Sequence, residues 1–169
     1  IGSVIGHEMT HGFDDQGRQF DADGNLKDWW SESVAKEYET RTNKIKEQYE
    51  GYQIEGKFLN GKLTLGENIA DLGGVSISYH ALNNYLNDYP QQNQVIEGFT
   101  PQQRFFLNYA IIWRCNTRKE EILKRVITDP HSPPCYRVNG VVTNLNEFYQ
   151  AFNVTSTNKL WKNDTTSVW

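Results

Sequence analysis

The stretch VIGHEMTHGFDD, residues 4–15, decides more about the fold than any other part of the chain. Its first half predicts a helix over residues 1–12, with apolar Val4 and Ile5 ahead of His7 and His11. Because the two histidines are four residues apart, both imidazoles lie on the same face of that helix, one turn apart. Residues 13–30 are rich in Asp and Gly, and therefore predict a long connection made of turns.

His7, Glu8 and His11 form a His-Glu-x-x-His pattern. Two imidazoles at this spacing can bind one zinc ion at about 2.0–2.1 Å, and the neighbouring acid can act on a water molecule at the metal. A helix with two surface histidines is the simpler alternative, but a chance match in so short a chain is expected in well under about 1% of cases. The pattern therefore favours a metal site that still needs a third protein ligand.

A second strong helix is predicted from Thr64 to about Leu86, because apolar residues recur along it at helical spacing. Glu67 and Asp71 are four residues apart and share one face of this helix. Glu67 can be the third zinc ligand, and Asp71 and Asp14 can each accept the remaining ring N–H of a zinc-bound histidine. Taken alone, the carboxylate pair would more simply be a solvated helix face. Its position on an otherwise apolar helix favours buried carboxylates with partners.

The remaining sequence predicts a mainly α protein with little strand. Gly73-Gly74 in the second strong helix indicates close approach of a neighbouring element. The other predicted elements are a Ser31-capped helix through Tyr49, a short extended segment or hairpin within 51–61, helices over 100–113, 118–128 and 145–152, and an ordered loop over Asp129–Arg137 with three prolines.

Composition excludes several classes of partner. The net charge of −4 and the pI of about 5.6 give no reason to expect nucleic acid or an anionic membrane as a partner. No apolar run approaches the roughly 18 residues of a membrane-spanning helix, so we expect no membrane contact from this segment. The chain opens without Met, and we expect it to be a piece of a longer protein. Two cysteines, Cys115 and Cys135, do not fix the redox compartment.

Taken together, the motifs resemble the neprilysin and endothelin-converting-enzyme family of zinc metallopeptidases. The resemblance covers nearly the whole chain in order, and is carried by residues 4–15, Asp28-Trp29-Trp30, residues 66–71, residues 105–108, Trp113, His131-Ser132-Pro133, Arg137 and Val168-Trp169. It implies a thermolysin-like zincin core, mainly α (α+β), with short strands or a hairpin. It also implies that residues 1–169 are the C-terminal part of a catalytic domain whose N-terminal portion, with a substrate-binding strand, lies outside this sequence.

The resemblance also implies roles for individual residues. The implied zinc ligands, for one Zn²⁺ per chain, are His7, His11 and Glu67; Glu8 is the general base, with Asp71 and Asp14 behind the histidines. His131 would stabilise an oxyanion, Arg137 would hold a substrate carbonyl, and the walls of the pocket for the residue after the cut would be Val4, Ile112 and Trp113. From the residues alone, His131 and Arg137 would be ordinary surface groups. Three nearby prolines, which pre-set the backbone around His131, independently favour a site role.

The implied function is zinc-dependent endopeptidase action on small peptides, with preference for an apolar residue after the cut and with Glu8 activating water at the metal. The alternative is a non-catalytic, zinc-stabilised or truncated domain without turnover in isolation. Animal members of the family carry disulfide-forming cysteines where this chain has Arg114 and Thr166. The resemblance favours an extracellular or periplasmic location, and the missing cysteines leave a cytoplasmic one open.

Overall fold

The structure, a computed structural model, describes all 169 residues and contains seven α-helices and one short hairpin. The helices are α1 Gly2–Thr10, α2 Glu32–Glu50, α3 Leu65–Asp88, α4 Pro101–Ile112, α5 Lys119–Thr128, α6 Pro134–Val142 and α7 Asn146–Phe152. Strands β1 (Gln53–Ile54) and β2 (Lys57–Phe58) pair antiparallel. The predicted mainly α fold with a hairpin is confirmed. No helix is both long enough and apolar enough to cross a membrane.

Helix α3 lies at the centre of the molecule. Its fully buried residues Ile69 and Val75 pack in one core with residues of α2, α4, α6 and the C-terminal tail, among them Tyr49, Phe106 and Val141. The start of α2 follows the capping expected from the sequence, since Ser31 Oγ accepts a hydrogen bond from the Val34 amide. At the start of α4, Thr100 forms a capping box with Gln103.

Helices α1 and α3 pack backbone to backbone through glycines. A Cβ atom at Gly74 would overlap the Ser3 carbonyl oxygen and lie 2.6 Å from the His7 amide nitrogen. A Cβ at Gly73 would lie 2.6 Å from Thr10 Oγ1. The close approach expected at the glycine pair is therefore confirmed, and it sets the distance between α3, which carries Glu67, and α1, which carries His7 and leads directly into His11.

We expect Gly74→Ala to destabilise the chain by about 1–3 kcal/mol, because the added methyl group has no free space and must push α1 away from α3. Denaturant unfolding would measure the change. Gly12→Ala is the matched control, since a Cβ at Gly12 meets nothing within 4 Å. Equal stability of the two variants would contradict the packing described here.

One predicted boundary is wrong. The sequence predicts a loop over the whole of Asp129–Arg137, but the loop ends at Pro133 and α6 begins at Pro134. Proline is well accommodated in the first turn of a helix, because the amide that it lacks would have no partner there. The run of prolines therefore starts a helix rather than prolonging the loop, and this helix buries Arg137.

Candidate metal centre

Side chains from α1, α3 and the turn after α1 converge on one point. His7 Nε2 lies 3.0 Å from His11 Nε2 and 3.2 Å from Glu67 Oε2, and His11 Nε2 lies 3.6 Å from Glu67 Oε1. One ligand atom from each residue lies within 4.8 Å of the other two. The structure thus brings together the three residues that the sequence predicts as zinc ligands.

The far side of each imidazole faces a carboxylate. His7 Nδ1 lies 2.8 Å from Asp71 Oδ1, and His11 Nδ1 lies 2.7 Å from Asp14 Oδ2. Such carboxylates hold the ring proton on Nδ1, which leaves the Nε2 lone pair free to bind a metal. These are the two pairings expected from the sequence. Their effect on metal affinity stays a prediction.

The donor set fits zinc. When both imidazoles carry their proton on Nδ1, the lone pairs of the two Nε2 atoms and of the Glu67 carboxylate point into the same small space and can bind one cation. Glu67 Oε2 is buried and has no hydrogen-bond partner. Two imidazole nitrogens and one carboxylate form a ligand set used by catalytic zinc, which keeps a further position open for water or substrate.

The electrostatics of the centre are dominated by its carboxylates. Burial disfavours the charged imidazole of His7, but the neighbouring carboxylates of Asp71 and Glu67 outweigh it and raise its pKa to about 9. Burial also opposes ionisation of Glu67, yet the neighbouring His7, His131 and His11 lower its pKa. The carboxylates therefore favour a cation between these side chains, either a proton on His7 or a metal ion that takes its place.

Arg137 connects the centre to the rest of the fold. Its Nε donates to Asp71 Oδ2 at 2.7 Å and its Nη2 donates to Asp71 Oδ1 at 2.7 Å. The guanidinium also lies 3.9 Å from the ring centre of Trp113, and Nη2 lies 3.6 Å from Glu67 Oε2. Asp71 thus holds both His7 and Arg137. The sequence did not predict the pair that Arg137 forms with Asp71.

His131 also faces the Glu67 carboxylate. Its Nε2 lies 3.3 Å from Glu67 Oε2, and its Nδ1 lies 2.7 Å from Asp129 Oδ1. The same Asp129 oxygen accepts a hydrogen bond from the His131 amide at 2.9 Å. The sequence did not lead us to predict that Asp129 supports His131. Its position two residues before His131, ahead of a proline, is the signal of an Asx turn that could have revealed it.

The remaining predicted site residues are more dispersed. Glu8 is exposed on α1, directly after His7. Trp113 lines a cavity of about 230 Å³ together with His131 and Arg137. Ile112 lines a different groove, and Val4 is 47% exposed. The apolar pocket expected from Val4, Ile112 and Trp113 is therefore not assembled from these three side chains alone, and it stays a prediction.

Cys115 and Cys135 are both exposed and are not joined in a disulfide.

Comparison with known proteins identifies the family of this chain. The chain matches peptidase family M13 over residues 1–168. It is 46% identical to Neprilysin-11 of Caenorhabditis elegans over 157 residues, which are 90% of this chain and 18% of that protein. It is 45% identical to Endothelin-converting enzyme 1 of Bos taurus over 154 residues, which are 90% of this chain and 20% of that protein.

Solved structures agree with the sequence comparison. The inhibitor complex of the Mycobacterium tuberculosis zinc metalloprotease Zmp1 superimposes with a TM-score of 0.91 at 45% identity, covering 95% of this chain and 25% of that one. A structure of PepO from Lactobacillus rhamnosis gives a TM-score of 0.82 at 33% identity, covering 95% of this chain and 24% of that one. The chain spans about one fifth of the length of the curated relatives it matches. The chain belongs to peptidase family M13.

Proposed function

We propose that this chain supplies the zinc-binding and catalytic residues of an endopeptidase. The observation that carries the proposal is the convergence of His7, His11 and Glu67, with Glu8 beside them and His131 facing the same carboxylate. A zinc ion held by the three ligands, one per chain, would act as a Lewis acid toward water and the scissile carbonyl.

The chain's own residues then have separate tasks. Glu8 removes a proton from the attacking water and passes it to the departing amine. His131, held by Asp129, donates a hydrogen bond to the oxygen that becomes negative in the transition state. Arg137 is fixed by Asp71 and Trp113 and orients a substrate carbonyl, so that less freedom is lost on reaching the reactive geometry.

The proposed substrates are small peptides with an apolar residue after the cut. Support comes from Trp113, which lines the cavity beside His131 and Arg137. Because the chain spans about one fifth of its curated relatives, we propose that it is the C-terminal part of the catalytic domain of a longer protein. The same short span favours a second candidate, a zinc-stabilised segment that does not turn over substrate in isolation.

Zinc is expected to stabilise the fold through this centre. At zinc concentrations of about 100 times Kd, binding adds about 2.7 kcal/mol, which corresponds to a rise in Tm of about 5–10 °C for a chain of this size. Thermal unfolding of the chelator-treated chain, with and without added Zn²⁺, measures this. Glu67→Ala should abolish the shift, while His80→Ala, which removes the histidine outside the centre, should keep it. An undiminished shift in Glu67→Ala would rule out Glu67 as a ligand.

Cleavage of a quenched fluorogenic peptide by the zinc-loaded chain tests the enzymatic proposal, with elemental analysis of bound metal as the companion measurement. Zinc together with turnover supports the endopeptidase. Zinc without turnover favours the zinc-stabilised segment, and a chain that retains no zinc contradicts both candidates.

A further inference from the structure

A buried hydrogen bond joins α3 to the His131 loop, residues 129–133. Ser132 Oγ donates to Asn68 Oδ1 at 2.8 Å. Asn68 is 1% exposed and Ser132 is 2% exposed. Asn68 directly follows Glu67, and Ser132 directly follows His131. The bond therefore connects the immediate neighbours of two residues that face each other across the candidate metal centre.

The orientation of the Asn68 amide is fixed by further hydrogen bonds with residues that immediately precede α3. Asn68 Nδ2 donates to Thr64 Oγ1 at 3.0 Å, and Thr64 Oγ1 donates to the Asn60 carbonyl oxygen at 3.1 Å. The hydrogen bonds therefore all run in one direction, from the Ser132 hydroxyl through Asn68 and Thr64 to the Asn60 carbonyl oxygen. Because the amide nitrogen is used by Thr64, the amide oxygen is the atom presented to the loop.

Backbone hydrogen bonds to the flanking helices hold the two ends of the loop, and the Ser132 bond holds its middle. Ser132 is the one buried residue among 129–133, whereas the His131 side chain is 46% exposed. Pro130 and Pro133 restrict the backbone on either side. Adjacent Cα atoms are about 3.8 Å apart, so a fixed Ser132 leaves the His131 backbone little freedom. Asp129 then orients the ring through Nδ1.

We propose that the Asn68–Ser132 hydrogen bond is a positioning device that holds the His131 imidazole toward Glu67. Neither residue needs to touch the substrate: the pair acts through the backbone of the loop. The proposal rests on the proposed function, in which His131 stabilises the developing oxyanion. A bond that merely stabilised the fold would lower stability when removed, and would leave the position of His131 unchanged.

The test compares Ser132→Ala with Ser78→Ala in the zinc-loaded chain. Both variants remove a buried serine hydroxyl, but the Ser78 hydroxyl bonds only to backbone carbonyls of α3, so only Ser132→Ala detaches the loop. Long-range ¹H–¹⁵N correlation spectra of the four histidine rings report the position of His131 directly. We expect Ser132→Ala to shift or erase the His131 ring signals while those of His7 and His11 persist. Ser78→Ala should leave all of them in place.

A kinetic measurement adds a second readout. We expect Ser132→Ala to lower kcat about tenfold with KM unchanged within about twofold, because the misplaced group acts mainly in the transition state. Asn68→Ala combined with Ser132→Ala should be no worse than Asn68→Ala alone, since both remove the same bond.

The outcomes separate the positioning proposal from the proposed function. Wild-type His131 signals in Ser132→Ala overturn the positioning role, whatever the activity. Equal displacement of His131 in Ser132→Ala and Ser78→Ala also overturns it, because the effect would then follow stability. An inactive zinc-loaded wild-type chain contradicts the proposed function, while the histidine spectra still decide whether Ser132 positions His131.

Discussion

Replacing Glu8 by Gln is expected to leave zinc bound and to lower peptide hydrolysis by about 10²–10⁴-fold. Gln has nearly the shape of Glu, but its amide cannot take a proton from the attacking water. Glu8 is exposed beside His7 and is not one of the three converging ligands, so the metal centre should remain intact. Steady-state cleavage of a fluorogenic peptide measures the rate of hydrolysis, and elemental analysis of the same sample measures the zinc content.

The control for this change is Glu32→Gln, which neutralises another exposed glutamate at the start of α2, away from the centre. It should hydrolyse peptide at the wild-type rate. Normal turnover by Glu8→Gln would show that another group acts as the base. Loss of zinc from Glu8→Gln would instead show that Glu8 supports the metal.

Asp71→Asn is expected to have two large effects, because one buried carboxylate serves two partners. His7 loses the anion that holds its Nδ1 proton, and zinc affinity should fall about 10–100-fold. Arg137 loses its bidentate partner inside the protein, and breaking such a buried ion pair costs about 3–5 kcal/mol. Competition with a chelator measures the first effect, and denaturant unfolding of the metal-free chain measures the second.

A double variant separates these two effects. Asp71→Asn combined with Arg137→Met removes the unpaired buried charge, so most of the lost stability should return. Zinc affinity should stay low, since His7 still lacks its carboxylate. If affinity and stability recovered together, the zinc defect of Asp71→Asn would reflect unfolding rather than the contact with His7. Unchanged zinc affinity in Asp71→Asn would contradict the role given to that contact.

Much of the candidate centre could be predicted from the sequence, because its main pairs are local. His7 and His11 share a helix face by spacing alone, as do Glu67 and Asp71, and His11 meets Asp14 three residues later. The long helix α3 and its glycine pair were likewise readable from periodicity and composition. Joining the two helices into one ligand set required one further step, that a buried carboxylate needs a partner.

The His131 loop and the start of α6 were harder to predict from the sequence. Three prolines indicate a rigid segment, but they do not distinguish an extended loop from the first turn of a helix. Asp129 carried a usable signal in its distance from His131. Asn68 and Ser132 carried none, since nothing near either residue in sequence indicates a hydrogen bond between positions 64 residues apart.

The sequence by itself determined the mainly α fold, the two helices that carry the metal ligands, and the residue types that zinc requires. Tertiary structure alone decided that Arg137 pairs with Asp71 and lies over the ring of Trp113, that Ser132 is hydrogen-bonded to Asn68, and that Ile112 lies in a separate groove from Trp113. The physical reason is the separation in sequence between the residues that are in contact. Helical periodicity fixes neighbours three or four residues apart, whereas contacts between distant residues depend on how the helices pack.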